Sequence, residues 1–570
     1  MRPATLRVWC CILATTAIAL FAGLSLHLTG TLAPGVKLAD LGTLVRPTGP
    51  ALVALRQTLS QLAGRTNVAP AYSEDLAAAS AFYNAHSGPL LWVTESGMTA
   101  RGNLVLAEIR KAEDWGLRAR DFAVPQLPAG AVSPQTAATA EIELTFAALK
   151  YARYARGGRF GDPANISKLL DYTPPVLRPK QVLTDIAAST APDVYLRSLH
   201  PQHEQFEGLR RLLLKLRGRG AGDEEIANGG KGQTALSQPV RSDTPGSEAT
   251  ASADAGRESA ERTVRLGRIR VNMERWRWLP TDLGDFYVWN NVPEFLTRVV
   301  NKGETIHSDK VIAGQPEWPT PAFSADMKMI VFHPSWGVPD GIKRKELLPL
   351  LLNSSRGDLL GLFTGAQSSR AVLEQHKLQT YYQGRSVDPN QVDWSSANIG
   401  AYEFRQPPGP TNVLGAIKFM FPNKHDVYMH DTPERDLFAR TFRGLSHGCM
   451  RVADPRRLAA ILLARDKGWP EQQVASLFNG QTREVELGTR IPVHMTYFTA
   501  MVDRQGNLRT FADLYGLDTR MGAILFGNRV PFVTPRYDDE IKAVRARQRP
   551  PGTSPPRSAL VEAISNIFSP

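Results

Sequence analysis

The chain has 570 residues, too many for one compact core, so two or more domains are expected. Its 42% hydrophobic and 21% charged residues are ordinary for a globular protein. A formal net charge of +12 suits an anionic partner; because the chain begins with an export signal, described next, nucleic acid is set aside in favour of anionic lipid headgroups or an acidic cell-wall polymer.

Arg2 and Arg7 precede VWCCILATTAIALFAGLSLHL, and no charge follows until Lys37. A basic start and a long apolar run form an export signal. About 20 apolar residues can span a bilayer, and no A-x-A cleavage site follows. Residues 1–30 are therefore expected to anchor the body outside the membrane, a cleaved signal peptide being the alternative. Residues 31–67 are read as an exported linker. Export also bears on the three cysteines. Cys10 and Cys11 lie in the apolar run, so Cys449 has no partner for an internal disulfide.

Residues 68–215 read as a helical scaffold. EIELTFAALKYARYARGGR spaces Leu144, Ala148, Tyr151 and Ala155 at helical steps and stops at Gly157-Gly158. FEGLRRLLLKLRGRG repeats the pattern and is expected to end at its glycines. Residues 219–262 hold no aromatic residue and few large aliphatic ones, so 216–264 is expected to be a disordered linker. From VNMERWRWLP onward, strand-like runs return: FYVWNNVPEFLTRVV, MKMIVFHP, DVYMH, and the pair IPVHMTYFTAMVD and NLRTFADLYG joined by RQG. Asp454-Pro455 caps a helix that ends at Gly468, and PEQQVASLFNG forms a shorter one. The fold class is therefore α+β, with a β-rich domain over 265–520, a C-terminal extension over 521–544 and a Pro-rich tail over 545–570.

The chemistry gathers in HDVYMHDTPERDLFARTFRGLSHGCMR, residues 425–451. A thiol must become a thiolate to attack a carbonyl, and an imidazole is the usual means. His430 ends a strand-like run and can return beside Cys449, whereas His447 is two residues away and can point elsewhere. Gly448 permits close backbone approach, and amides near Gly448 and Cys449 could form an oxyanion hole. The residues alone leave three readings open: a nucleophile, a structural thiol, or a metal ligand with His425, His430 and His447.

At these residues the sequence resembles the L,D-transpeptidase catalytic domain, whose cysteine enzymes cross-link peptidoglycan. The matching signature is His430, fifteen residues, then Ser446-His447-Gly448-Cys449-Met450-Arg451. RQPPGPTNVLGAIKFMFPNKHDVYMHDTP and WRWLP…FYVWNNVPEF resemble the large, multi-domain Gram-negative branch of that family. The resemblance implies Cys449 as nucleophile and His430 as general base. It implies Ser446, His447 and Gly448 as shaping the site and Arg451 as orienting substrate or supporting the loop, with Tyr428 as a further substrate contact and Lys418 as either a contact for substrate carboxylates or a member of an ion pair. It also implies a helical capping insertion over about 342–405, with helices in LPLLLNSS and AVLEQHKLQTYY. The low-complexity stretch stands where relatives carry a wall-binding module.

The implied function is 3→3 cross-linking in the periplasm, tethered at the inner membrane, with no cofactor and no metal. A donor tetrapeptide stem forms a cysteinyl acyl-enzyme, and the side-chain amine of a diamino acid on a second stem resolves it. Water as acceptor would make an L,D-carboxypeptidase and a lipoprotein lysine an anchoring enzyme. A non-catalytic wall-binding scaffold is the alternative from another class.

Overall fold

The computed structural model describes residues 49–64, 69–228, 247–357 and 368–527. The expected signal or anchor over 1–30 and the tail over 545–570 lie outside them. Among the described residues no helix is long and apolar enough to cross a membrane.

The N-terminal half is helical: α1 Pro50–Ala63, α2 Pro70–Ala85, α3 Ala100–Arg110, α4 Pro134–Ala155, α5 Pro179–Ala188 and α6 Pro192–Ser198. One small ladder, β1 Val93–Thr94 with β2 Gly97–Met98, interrupts them. Leu144, Ala148, Tyr151 and Ala155 of α4 are buried, and the helix ends where Gly157 takes φ +82°, as its spacing predicts. That conformation is enforced, because a Cβ there would sit 2.6 Å from the Arg277 carbonyl. Of the expected linker over 31–67, the described part is helix α1, which buries Leu52, Leu55 and Leu59 in the helical core; 31–48 and 65–67 lie outside the described residues.

A second correction concerns the polar stretch. Helix α7, Glu204–Asn228, runs through the glycines expected to stop it, and α8 spans Ser247–Trp276. Only 229–246 lies outside the described residues. A helical glycine costs only about 1 kcal/mol against alanine, so packing can override it. That packing is visible upstream, where Phe206, Leu209 and Leu213 of α7 share a core with Ile269, Val271 and Met273 of α8. VNMERWRW thus closes a helix, and the strands of the β-rich domain begin only at Phe286. Its apolar residues are buried because α8 lies between the helical domain and the sheet.

The sheet has nine strands: β3 Phe286–Asn291, β4 Leu296–Asn301, β5 Glu304–Gly314, β6 Phe323–Phe332, β11 Ile417–Met420, β12 Met429–His430, β13 Gly444–Ser446, β14 Met450–Val452 and β15 Arg483–Thr496. Their order is β13-β5-β14-β12-β11-β6-β15-β3-β4, and a further β4–β5 pairing closes it like a barrel. Closure leaves no long open edge. Helix α11, Pro455–Lys467, carries the expected Asp454 cap and Gly468 stop, and α12, Glu471–Ser476, follows. The RQG turn joins β16 Ala500–Val502 to β17 Leu508–Thr510. Helix α13, Leu517–Phe526, buries Met521 and Leu525 in the same core, so the β-rich domain runs past its expected boundary at 520.

Between β6 and β11 lies the insertion. It holds a four-stranded sheet in the order β7-β10-β8-β9, formed by β7 Trp336–Gly337, β8 Gln379–Tyr382, β9 Arg385–Ser386 and β10 Tyr402–Gln406. Helices α9, Leu348–Gly357, and α10, Ser369–Gln375, pack with it around Trp336, Leu351, Leu373, Trp394 and Phe404. The second expected helix therefore stops at Gln375, and QTYY is a strand.

One ion pair ties α8 to α13. Arg275 and Asp518 are each no more than 2% exposed and meet at 2.6 Å, with Thr499 donating to the same carboxylate at 2.7 Å. Removing one partner strands a buried charge, which typically costs about 3–5 kcal/mol. Asp518→Ala should lower stability by that amount in urea denaturation, whereas Asp503→Ala on the exposed β16–β17 turn should change it by less than about 1 kcal/mol.

Candidate active site

The site is built on two short strands. β12 pairs in parallel with β14, aligning Met429 with Met450 and His430 with Arg451. Both methionines are fully buried and face the core. Side chains alternate across a strand, so Tyr428, His430, Cys449 and Arg451 share the opposite face. β11 runs antiparallel on the other side of β12 and sets Lys418 opposite His430. Lys418 Nζ lies 5.8 Å from the centre of the Tyr428 ring, and the Tyr428 and His430 rings are 5.7 Å apart. Tyr428 also packs against the insertion's core, so this face lies under the cap.

His430 is buried, and its Nδ1 is 2.5 Å from the Asp431 carbonyl oxygen. A carbonyl only accepts, so Nδ1 carries the hydrogen and Nε2 of the neutral ring keeps its lone pair. Burial, with the Arg451 and Lys418 charges, drives the ring's pKa down to about 3. Cys449 is a partly exposed free thiol. Enclosure of its sulfur pushes the thiol up to about 11, against the opposing pull of hydrogen bonds from the Tyr428 backbone and side chain and of the Arg451 charge. Burial lowers the Lys418 pKa too, partly offset by Glu484 and Cys449. The resting pair is therefore neutral thiol and neutral imidazole. The same causes act in reverse when a carboxylate arrives: an anion beside Lys418 and Arg451 weakens the cationic push on His430 and makes Nε2 a better base.

The loop before Cys449 is pinned by short polar side chains. Ser446 Oγ donates to the Cys449 carbonyl at 2.5 Å and accepts from the Gly448 amide at 3.2 Å. Thr320 Oγ1 donates to the Gly448 carbonyl at 2.7 Å and accepts from Gly314 at 2.9 Å, while Tyr515 bridges Gly314 and Thr320. Gly448 has φ +108°, a conformation that favours glycine. Its amide is already engaged, which leaves the Cys449 amide as the better placed oxyanion donor.

The other predicted residues divide. Arg451 pairs with Glu434, an arrangement that supports the loop. His447 turns away from the β12 face, its Nε2 2.8 Å from Glu346 Oε1 and its ring 5.3 Å from Trp318. His425 pairs with Asp171 of the helical domain at 2.7 Å. His425, His430 and His447 thus have three different partners, and among the described residues no group of three metal-ligating side chains converges. Sequence reading missed Glu346, Trp318, Thr320 and Asp431. Of these only Asp431 carried a signal, through its place next to His430.

Residues 285–493 match the family model of the L,D-transpeptidase catalytic domain, and residues 77–213 match that of a scaffold domain. A Haemophilus influenzae protein named as a candidate L,D-transpeptidase is 30% identical over 259 residues, covering 45% of this chain and 48% of that protein. The chain thus spans about half the length of this curated relative. Among solved structures, it is similar to an L,D-transpeptidase from Mycobacterium smegmatis at 11% identity, TM-score 0.17, covering 37% of this chain and 58% of that one. It is also similar to a cysteine-to-serine mutant of the Enterococcus faecium L,D-transpeptidase at 13% identity, TM-score 0.14, covering 37% and 50%.

A neutral resting pair has a readable consequence. Alkylation of Cys449 by iodoacetamide should be slow at pH 7 and still rising above pH 9. A plateau reached below pH 7 would instead mean a preformed thiolate–imidazolium pair.

Proposed function

We propose that this protein acts outside the cytoplasm as a peptidoglycan L,D-transpeptidase that forms 3→3 cross-links. The supporting observation is the placement of Cys449 and His430 on one face of adjacent parallel strands, with Nδ1 of the histidine held by the Asp431 carbonyl. In this reading the stem's carboxylates bind beside Lys418 and Arg451, raising the basicity of His430. Nε2 then takes the Sγ proton as sulfur attacks the carbonyl of the third stem residue. The tetrahedral oxyanion is met by the Cys449 amide. His430 returns the proton to the departing amine, and D-alanine leaves. The side-chain amine of a diamino acid on a second stem then displaces the sulfur. Tyr428 covers the thioester together with the insertion, limiting loss to water.

Intact mass after incubation with a stem tetrapeptide tests the reading. Native protein should gain the acyl group, and Cys449→Ala should gain nothing. His430→Ala should acylate about 10²–10⁴-fold more slowly. With a second stem present, dimers joined through their third residues are expected. Trimmed tripeptide without dimers would make water the acceptor and the enzyme an L,D-carboxypeptidase.

A further inference from the structure

His447, two residues before Cys449, turns from the β12 face to the insertion and Trp318, and there it meets a carboxylate that the first half-reaction does not use. Glu346 sits in a π-helical turn, Lys343–Leu347, and is 3% exposed. Its Oε1 takes the hydrogen bond with His447 Nε2 at 2.8 Å, two residues before the nucleophile. Its Oε2 is enclosed and has no hydrogen-bond partner among the described residues. Neighbouring cations are occupied elsewhere. Lys345 Nζ lies 4.2 Å from the centre of the Trp318 ring, Lys343 binds Asp340 and the Tyr402 carbonyl, and the Arg344 guanidinium lies against Gly400. A buried carboxylate oxygen left without a donor is costly, and it is satisfied when a donor arrives.

We propose that the Glu346–His447 pair is the recognition site for the acceptor's amine, so that the insertion selects a primary ammonium over water. This rests on the acyl-transfer reading above and names the acceptor half of the same site. An aliphatic amine arrives as R–NH₃⁺ because its ordinary pKa is near that of lysine, about 10.4. Glu346 Oε2 binds it as the edge of the insertion shifts to admit it. One proton passes to the carboxylate–imidazole pair and on to solvent, leaving R–NH₂. The nitrogen lone pair then forms the C–N bond to the thioester carbonyl, and the C–S bond breaks with its electrons on Sγ. The second proton goes from nitrogen to His430 Nε2 and from there to the thiolate, restoring the neutral pair. His430 serves both half-reactions; Glu346 serves only the second.

The test measures how the acyl-enzyme divides between transfer and hydrolysis in the full-length protein, with a stem tetrapeptide as donor and a diaminopimelate-containing tripeptide as acceptor. Glu346→Gln should lower the ratio of dimer to hydrolysed product about tenfold or more and raise the acceptor KM, with acylation slowed less than about twofold. Glu346→Asp, which keeps the charge, should recover part of the ratio. Hydroxylamine, uncharged at pH 8, should resolve the acyl-enzyme equally well in native protein and in Glu346→Gln. An unchanged ratio in Glu346→Gln overturns the inference, as does an equal fall in acylation and transfer, which would make Glu346 only a strut for His447. Native protein that never acylates overturns the parent reading first.

Discussion

The parallel pairing of β12 with β14 is the constraint on which the site depends. It fixes which side chains share a face: with Met429 and Met450 in the core, Tyr428, His430, Cys449 and Arg451 must lie opposite. A one-residue slip would bury the thiol and the base and expose two methionines. The core therefore enforces the register, and the register places the chemistry. A parallel pair also needs a crossover between its strands. Here residues 431–449 supply it through a short 3-10 turn at Arg435–Ala439, which explains the long spacing between His430 and Cys449.

Electrostatics completes what register begins. Burial and two nearby cations keep His430 neutral, and enclosure keeps Cys449 protonated, so the unliganded site stores no reactive thiolate. A thiol held protonated is protected from adventitious oxidation, since reactivity follows the thiolate. The insertion contributes to the same control. Its small core packs against Tyr428, and its π-helical turn brings Glu346 to His447.

Much of this was legible in the residues. SHGC with His430 upstream marks the place of the site, although the residues alone leave a nucleophile, a structural thiol and a metal ligand open, and the family resemblance is what singles out the first. Asp454-Pro455 and Gly468 bound α11 through local capping alone. Tertiary packing hid the rest. VNMERWRW shows no amphipathic helical pattern because it is buried all round at the end of α8. The polar stretch before it carries no local apolar pattern, and its helices connect to segments whose packing is set by residues far off in the chain. Glu346, within KRKELLPL, gives no local sign of reaching a loop about a hundred residues later in the chain.

The central claim is that a neutral His430, with its hydrogen on Nδ1, shares one face of the sheet with a protonated Cys449. Nitrogen-15 NMR of histidine-labelled protein reads this directly, with His430→Gln assigning the signal. The account predicts one Nδ1-protonated, neutral ring for His430 from pH 5 to 8, with no titration near 6.5. An imidazolium protonated on both nitrogens at pH 7, or a neutral ring carrying its hydrogen on Nε2, would contradict it.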